Sequence, residues 1–158
     1  MDTAKVAGLR TLHFESLDQV MAEAERVAEA ERGGRLRCLG NWTVGQTLGH
    51  LACWMEYCYT GVPLKVPFYV RWLLRLRKRK FLYAPMPPGL KIPTVKGGTL
   101  ATEVVPLEAA LVQLRKAATR LQAEAPTLPH PIFGALKHDE WIALHLRHAE
   151  LHLGFMVC

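Results

Sequence analysis

The sequence predicts an all-α protein, a four-helix bundle with one long connection. Three observations carry this. Four stretches repeat apolar residues at helical spacing, each opens with a residue suited to a helix start, and no stretch shows the alternation of a half-buried strand. The 158 residues are enough for one domain, 1–158, with a substantial core.

The first helix is expected over SLDQVMAEAERVAEAE, 16–31. Ser16 is placed to cap it, Gln19 stands three residues on as in a capping box, and Leu17, Val20, Met21, Ala24 and Val27 recur at helical spacing. Gly33-Gly34 stops it. The second, TVGQTLGHLACWMEYCYTG (43–61), repeats the capping-box spacing with Thr43 and Gln46 and ends at Gly61. Gly45 and Gly49 cost helix propensity there, and the gain they offer is close approach of another backbone.

Residues 62–105 form the long connection. VPFYVRWLLRLRKRKFLY reads as one short basic helix, and the Pro- and Gly-rich APMPPGLKIPTVKGG as an ordered loop draped over the bundle. The third long helix is expected over 106–125, with Pro106 at its first position and Glu108 in the first turn, where the helix dipole favours a carboxylate. After the loop APTLPHPIFGAL, the fourth helix is expected over DEWIALHLRHAELHLGFMVC, 139–158.

That last helix holds three of the seven histidines within eight residues. At about 100° per residue, His145, His148 and His152 fall with Trp141 and Phe155 in an arc of about 80°, away from Arg147 and Glu150. The histidine face is therefore expected to point inward. His148 and His152, at i and i+4, suit two imidazoles binding one ion. His145 with His148, at i and i+3, is the weaker alternative pair. On the second helix His50 shares a face with Gln46, Cys53, Trp54 and Tyr57, and a ligand from a facing helix is how metal sites in bundles are built. Three neutral imidazoles suit zinc, nickel or another divalent ion. The competing reading is core histidines satisfied by carbonyls or water.

Two motifs resemble a known superfamily. LGNWTVGQTLGHLA (39–52) resembles the second-helix signature of the DinB superfamily, in which a histidine following an Asn-Trp-Thr start binds metal, and HAELHLGF (148–155) resembles its last-helix histidine pair. FESLDQV, MPPGLKIP and HPIFGALKHDEW resemble the DUF1569 group within it, so the resemblance covers nearly the whole chain. It implies an up-down-down-up bundle of four helices, often dimeric, with a metal triad at His50, His148 and His152. It also implies chemistry on a small molecule, such as S-transfer to a low-molecular-weight thiol, or hydrolysis. Lys137 stands where that pattern leads one to expect a Ser or Thr cap.

Around the triad, Gln46, Cys53, Tyr57 and His145 are candidates for hydrogen-bond partners or pocket lining. Cys53 has two readings, a soft fourth ligand or a small buried apolar residue. His130, between prolines, is read as capping a helix or rimming a pocket, whereas His13 and His138 carry no signal.

The net charge of +6 is concentrated in RWLLRLRKRK, 71–80, where Arg71, Arg75 and Arg79 would share one face of a continuous helix. Such a segment suits an anionic membrane or nucleic-acid phosphates, but a solvated face on a covering helix is the commoner explanation. Neither specific nucleic-acid binding nor membrane contact is the expectation. No apolar run approaches the roughly 20 residues of a membrane span. The opening residues lack a signal peptide's apolar middle, and the four cysteines form no CxxC pair. A cytoplasmic protein with reduced thiols is the expectation.

Overall fold

The computed structural model describes residues 3–64, 66–92, 95 and 97–158, the side chain of Ala4 excepted. Within them the chain is mostly helical. A short 3-10 turn at Thr3–Lys5 precedes α1 (Leu17–Arg32), α2 (Val44–Thr60), α3 (Phe68–Arg75), α4 (Lys78–Tyr83), α5 (Leu107–Ala123) and α6 (His138–Leu153). One antiparallel two-stranded ribbon joins β1 (Arg37–Cys38) to β2 (Met156–Val157). No helix among the described residues is long and apolar enough to cross a membrane.

The long helices start where their caps dictate. On α1 the Ser16 hydroxyl accepts from the Gln19 N–H, while the Gln19 side chain reaches one residue further back, accepting from the Glu15 N–H. On α2 both halves of the capping box form between Thr43 and Gln46. Pro106 sits just before α5, not in its first turn, whereas Glu108 does lie in that turn and also pairs with Arg32. On α6 only the reciprocal half of a box survives. The Glu140 carboxylate accepts from the Lys137 N–H, and an ammonium cannot accept in return.

One core joins Val20, Ala24 and Val27 of α1, Leu48, Leu51 and Met55 of α2, Leu114 and Leu121 of α5, and Trp141, Ala149 and Leu153 of α6. The most extensive packing is α2 on α5. The glycines of α2 explain it: a Cβ on Gly45 would lie 2.0 Å from the carbonyl oxygen of Val105, and one on Gly49 would lie 3.0 Å from its side chain. The segment leading into α5 thus lies in a notch that only glycine leaves open.

Two expectations are corrected. The last helix does not run to residue 158. It ends at Leu153, and Met156–Val157 turn back as a strand against Arg37–Cys38, because β1 offers unpaired backbone groups there. The basic segment is two helices, broken at Leu76–Arg77, so Arg79 does not continue the face of Arg71 and Arg75. On the face of α6 opposite the histidines, Arg147 and Glu150 are both buried and paired at 2.5 Å. The N-terminal segment covers them. Arg147 donates to the carbonyl of Phe14 at 2.5 Å, and the Phe14 N–H donates to Glu150 at 2.6 Å. These backbone partners support the buried pair, while the Arg147 Nε stays buried without one.

Gly45→Ala should therefore destabilise the fold by about 2 kcal/mol, the scale of overpacking, although alanine is worth about 1 kcal/mol more than glycine in an open helix. Urea unfolding checks the sign, and a raised midpoint would contradict the notch.

Candidate metal centre

Two long helices bring three imidazoles together. The capping box sets where α2 begins, and so which face carries His50 seven residues past the cap. On α6, His148 and His152 lie one turn apart. One ring nitrogen from each of the three residues can be chosen so that all lie within 4.8 Å of one another. His50 Nε2 and His148 Nε2 are 3.2 Å apart. The rings form a compact triangle, with centroids 5.0 Å apart for His50–His148, 4.5 Å for His50–His152 and 4.6 Å for His148–His152. His50 is buried, and the other two are half-buried.

The protonation of His50 follows from its partners. Its Nδ1 lies 3.0 Å from the carbonyl oxygen of Leu100 and 3.2 Å from that of Ala101. Carbonyls only accept, so Nδ1 carries the proton and Nε2 presents its lone pair toward His148. Burial holds the His50 pKa down at about 4, against the upward pull of the two carbonyls and the Glu103 charge. Burial likewise lowers His148 well below the ordinary range, helped by His152, His50 and His145, and His152 with help from His50. At neutral pH all three are neutral donors gathered at one point.

This donor set fits a divalent cation. Nitrogen ligands at about 2.0–2.1 Å around a tetrahedral ion stand about 3.3 Å apart, close to the His50–His148 separation. A ligating histidine ordinarily gives its other N–H to a carbonyl or carboxylate, as His50 does twice.

The loop that supplies those carbonyls is itself held by α2. Gln46 Nε2 donates to the carbonyl of Thr102 at 3.2 Å, and Val105 fills the glycine notch. Ala101 has φ of 56°, the one non-glycine residue with positive φ among those described. That left-handed backbone turns two successive carbonyls toward one imidazole.

Two tryptophans flank the triad. Trp42 stacks on His152 at 5.3 Å with 3° between planes and packs on His50 at 4.7 Å. Trp54 lies edge-on to His148 at 5.7 Å, its indole N–H buried without a protein partner. Sequence reasoning missed the role of Trp42, although it stands in the Asn-Trp-Thr motif. It also missed Glu103 and the carbonyls at 100–101, because no spacing links the connection to α2.

The remaining candidates separate. Gln46 serves the cap and the loop, not a histidine. Cys53 does not join the cluster, so the fourth-ligand reading is corrected. One turn on along α2, the Tyr57 hydroxyl is pushed up to about 12, by burial first and then by the neighbouring Cys53. His145 is withdrawn from the site, its Nε2 lying 3.0 Å from the buried thiol of Cys58. The phase of α6 aims it at α2 one level away from His50. His130 Nδ1 accepts from the N–H groups of Ile132 and Phe133, closing its loop, and the residue borders a concavity with Leu64, Val66 and Arg71. His138 packs its ring nitrogen on the Leu121 carbonyl, and exposed His13 lies 3.5 Å from Glu150.

Two outcomes follow. Ala101→Gly should stabilise the protein by about 1 kcal/mol, the cost of a left-handed residue with a Cβ; a lowered thermal midpoint would contradict a strained Ala101. Stability should also fall with acid before carboxylates titrate. Burial holds His130 at about 4 and His145 at about 3, whereas an unfolded histidine titrates near 6.5. Below about pH 6.5 the unfolded chain takes up protons that the folded one refuses, so the free energy of unfolding drops as pH falls from 7 to 5. Urea midpoints flat across that interval would refute neutral buried histidines.

No curated protein and no solved structure matches this chain. A family model does match, over residues 6–158, nearly the whole length. By that match, the chain belongs to the family described as protein of unknown function (DUF1569).

Proposed function

We propose that this protein is a DinB-like four-helix bundle, built on α1, α2, α5 and α6 in up-down-down-up order, that binds one divalent metal ion through His50, His148 and His152. In this reading it is a metal-dependent transferase or hydrolase acting on a small molecule, with a low-molecular-weight thiol the leading substrate class. One observation supports it above the rest: three neutral imidazoles from two helices converge, and the His50 tautomer is set by two backbone carbonyls. Core histidines without a ligand role would each satisfy their nitrogens separately, whereas His50 and His148 face one another Nε2 to Nε2.

A zinc or nickel ion there would supply Lewis acidity, favouring the thiolate or hydroxide form of a coordinated thiol or water. The chain's own residues provide the rest. Trp42 and Trp54 wall the site with apolar surface and keep bulk water from the rings. His148 and His152 remain half-buried, which leaves a side for a small substrate to approach. The Glu103 charge acts electrostatically on both His50 and Tyr57. All four cysteines are free, as suits a reducing compartment such as the cytoplasm.

The test is metal analysis of untagged protein after dialysis against zinc or nickel. The wild-type chain should retain about one ion, and His50→Ala and His148→Ala should each bind at least about a hundredfold more weakly, more than the 10–100-fold typical of losing an outer-shell partner. Equal metal content in all three proteins would sink the site. The substrate class is tested separately with cobalt-loaded protein: a small thiol should produce a new thiolate charge-transfer band, and an unchanged spectrum would remove thiols as ligands while leaving the metal site standing.

A further inference from the structure

The charge of this chain is segregated. Nine of the twenty Lys and Arg residues, and none of the fourteen Asp and Glu, lie between positions 57 and 102. That segment therefore carries +9, while the other eleven Lys and Arg face fourteen acids, a net −3. At its centre, α3 is amphipathic in an unusual sense. Val70 and Leu74 turn half-buried toward the body, and Leu74 packs on the core. The outward arc is also apolar. Phe68, Tyr69, Trp72, Leu73 and Leu76 are between 54 and 81% exposed, and by helical phase they fall within about 140° of one another.

Basic side chains border this arc. Arg71 and Arg75 flank it, Arg75 being tied to the carbonyl of Ile132. Arg77, Arg79 and Lys80 follow on the turn into α4 and on α4, exposed and without a carboxylate partner among the described residues. Lys78, by contrast, is held by Glu140 at 2.7 Å. Five large apolar side chains in one exposed patch signal a surface that is covered in use.

We infer that the outward face of α3, with the basic residues beside it, docks on the interface of an anionic lipid bilayer. The occupant follows from the chemistry. Aromatic and leucine side chains on one helix face beside arginine and lysine are the composition of helices that lie in the headgroup region, apolar side chains dipping into the acyl boundary and cations resting on phosphates. The rest of the molecule carries the opposite charge, which orients this face toward the surface. A second copy is disfavoured as the cover, because a two-fold contact would press one +9 segment against another. Nucleic acid would use the cations but not the leucines. Since no described helix can span a bilayer, the contact is peripheral and reversible.

Co-sedimentation of the full chain with phosphatidylcholine vesicles, with and without phosphatidylserine, tests this. Partitioning should be at least about tenfold stronger with phosphatidylserine and should weaken with salt. Trp72→Ser with Leu76→Ser should lower it at least about tenfold, the scale of withdrawing two apolar side chains. Arg77→Gln, Arg79→Gln and Lys80→Gln together should lower it roughly a hundredfold, at about fivefold per cation near the surface. All five side chains are exposed, so thermal midpoints should stay unchanged. Independently of any variant, the wild-type tryptophan emission should shift to the blue on adding anionic vesicles. Failure to bind those vesicles overturns the proposal, as does binding that ignores Trp72 and Leu76. A Trp72-dependent dimer, or a Trp72-dependent oligonucleotide complex, formed without vesicle binding overturns it too, and assigns the face to that partner.

Discussion

The close approach of residues 99–105 to α2, permitted by Gly45 and Gly49, is the constraint on which the site depends. Without a Cβ at either position, the backbone of Val105 lies against the helix surface. The loop before it then passes within hydrogen-bond reach of His50. A carbonyl in that place does two things at once. It fixes which nitrogen of His50 is protonated, and it aims the other at the last helix. The helix-propensity cost of two glycines is thereby turned into the orientation of one imidazole, with the left-handed Ala101 as a second local cost.

The last helix shows the same economy with polar groups. Much of it is buried, so its polar side chains depend on partners within the protein, and the Trp141 Nε1, His145 Nδ1 and Arg147 Nε atoms are left without one. Arg147 and Glu150 find each other and the backbone of Phe14. His145 finds the Cys58 thiol. His148 and His152 alone are turned toward a third histidine. What marks these two as a candidate site is thus the kind of partner they face, more than burial as such.

Opposite demands meet on the connection between α2 and α5. Its C-terminal end is locked into the glycine notch, while its helical part carries outward apolar side chains and, at Arg77, Arg79 and Lys80, cations without a carboxylate partner among the described residues. The proposed bilayer contact gives those outward groups a role, and the charge gathered in residues 57–102 favours an anionic partner for it.

The sequence by itself determined the helical class, the starts of α1 and α2, the need for close approach at Gly45 and Gly49, and His148 with His152 as a pair. These rest on local rules: capping spacing, helical periodicity, and the i, i+4 geometry of a single helix. The DUF1569 membership was legible in motif order along the chain. Tertiary structure alone decided the rest. The end of α6 was set by pairing with β1, a partner more than a hundred residues away. The burial of Arg147 and Glu150 was set by the N-terminal segment that crosses them, which no helical wheel contains. His145 separated from His148 and His152 because each level of α6 meets a different residue of α2. The carbonyl clamp on His50 came from a loop whose position relative to α2 exists only once the helices have packed, since hydrogen bonds across such distances in sequence leave no periodic trace in it.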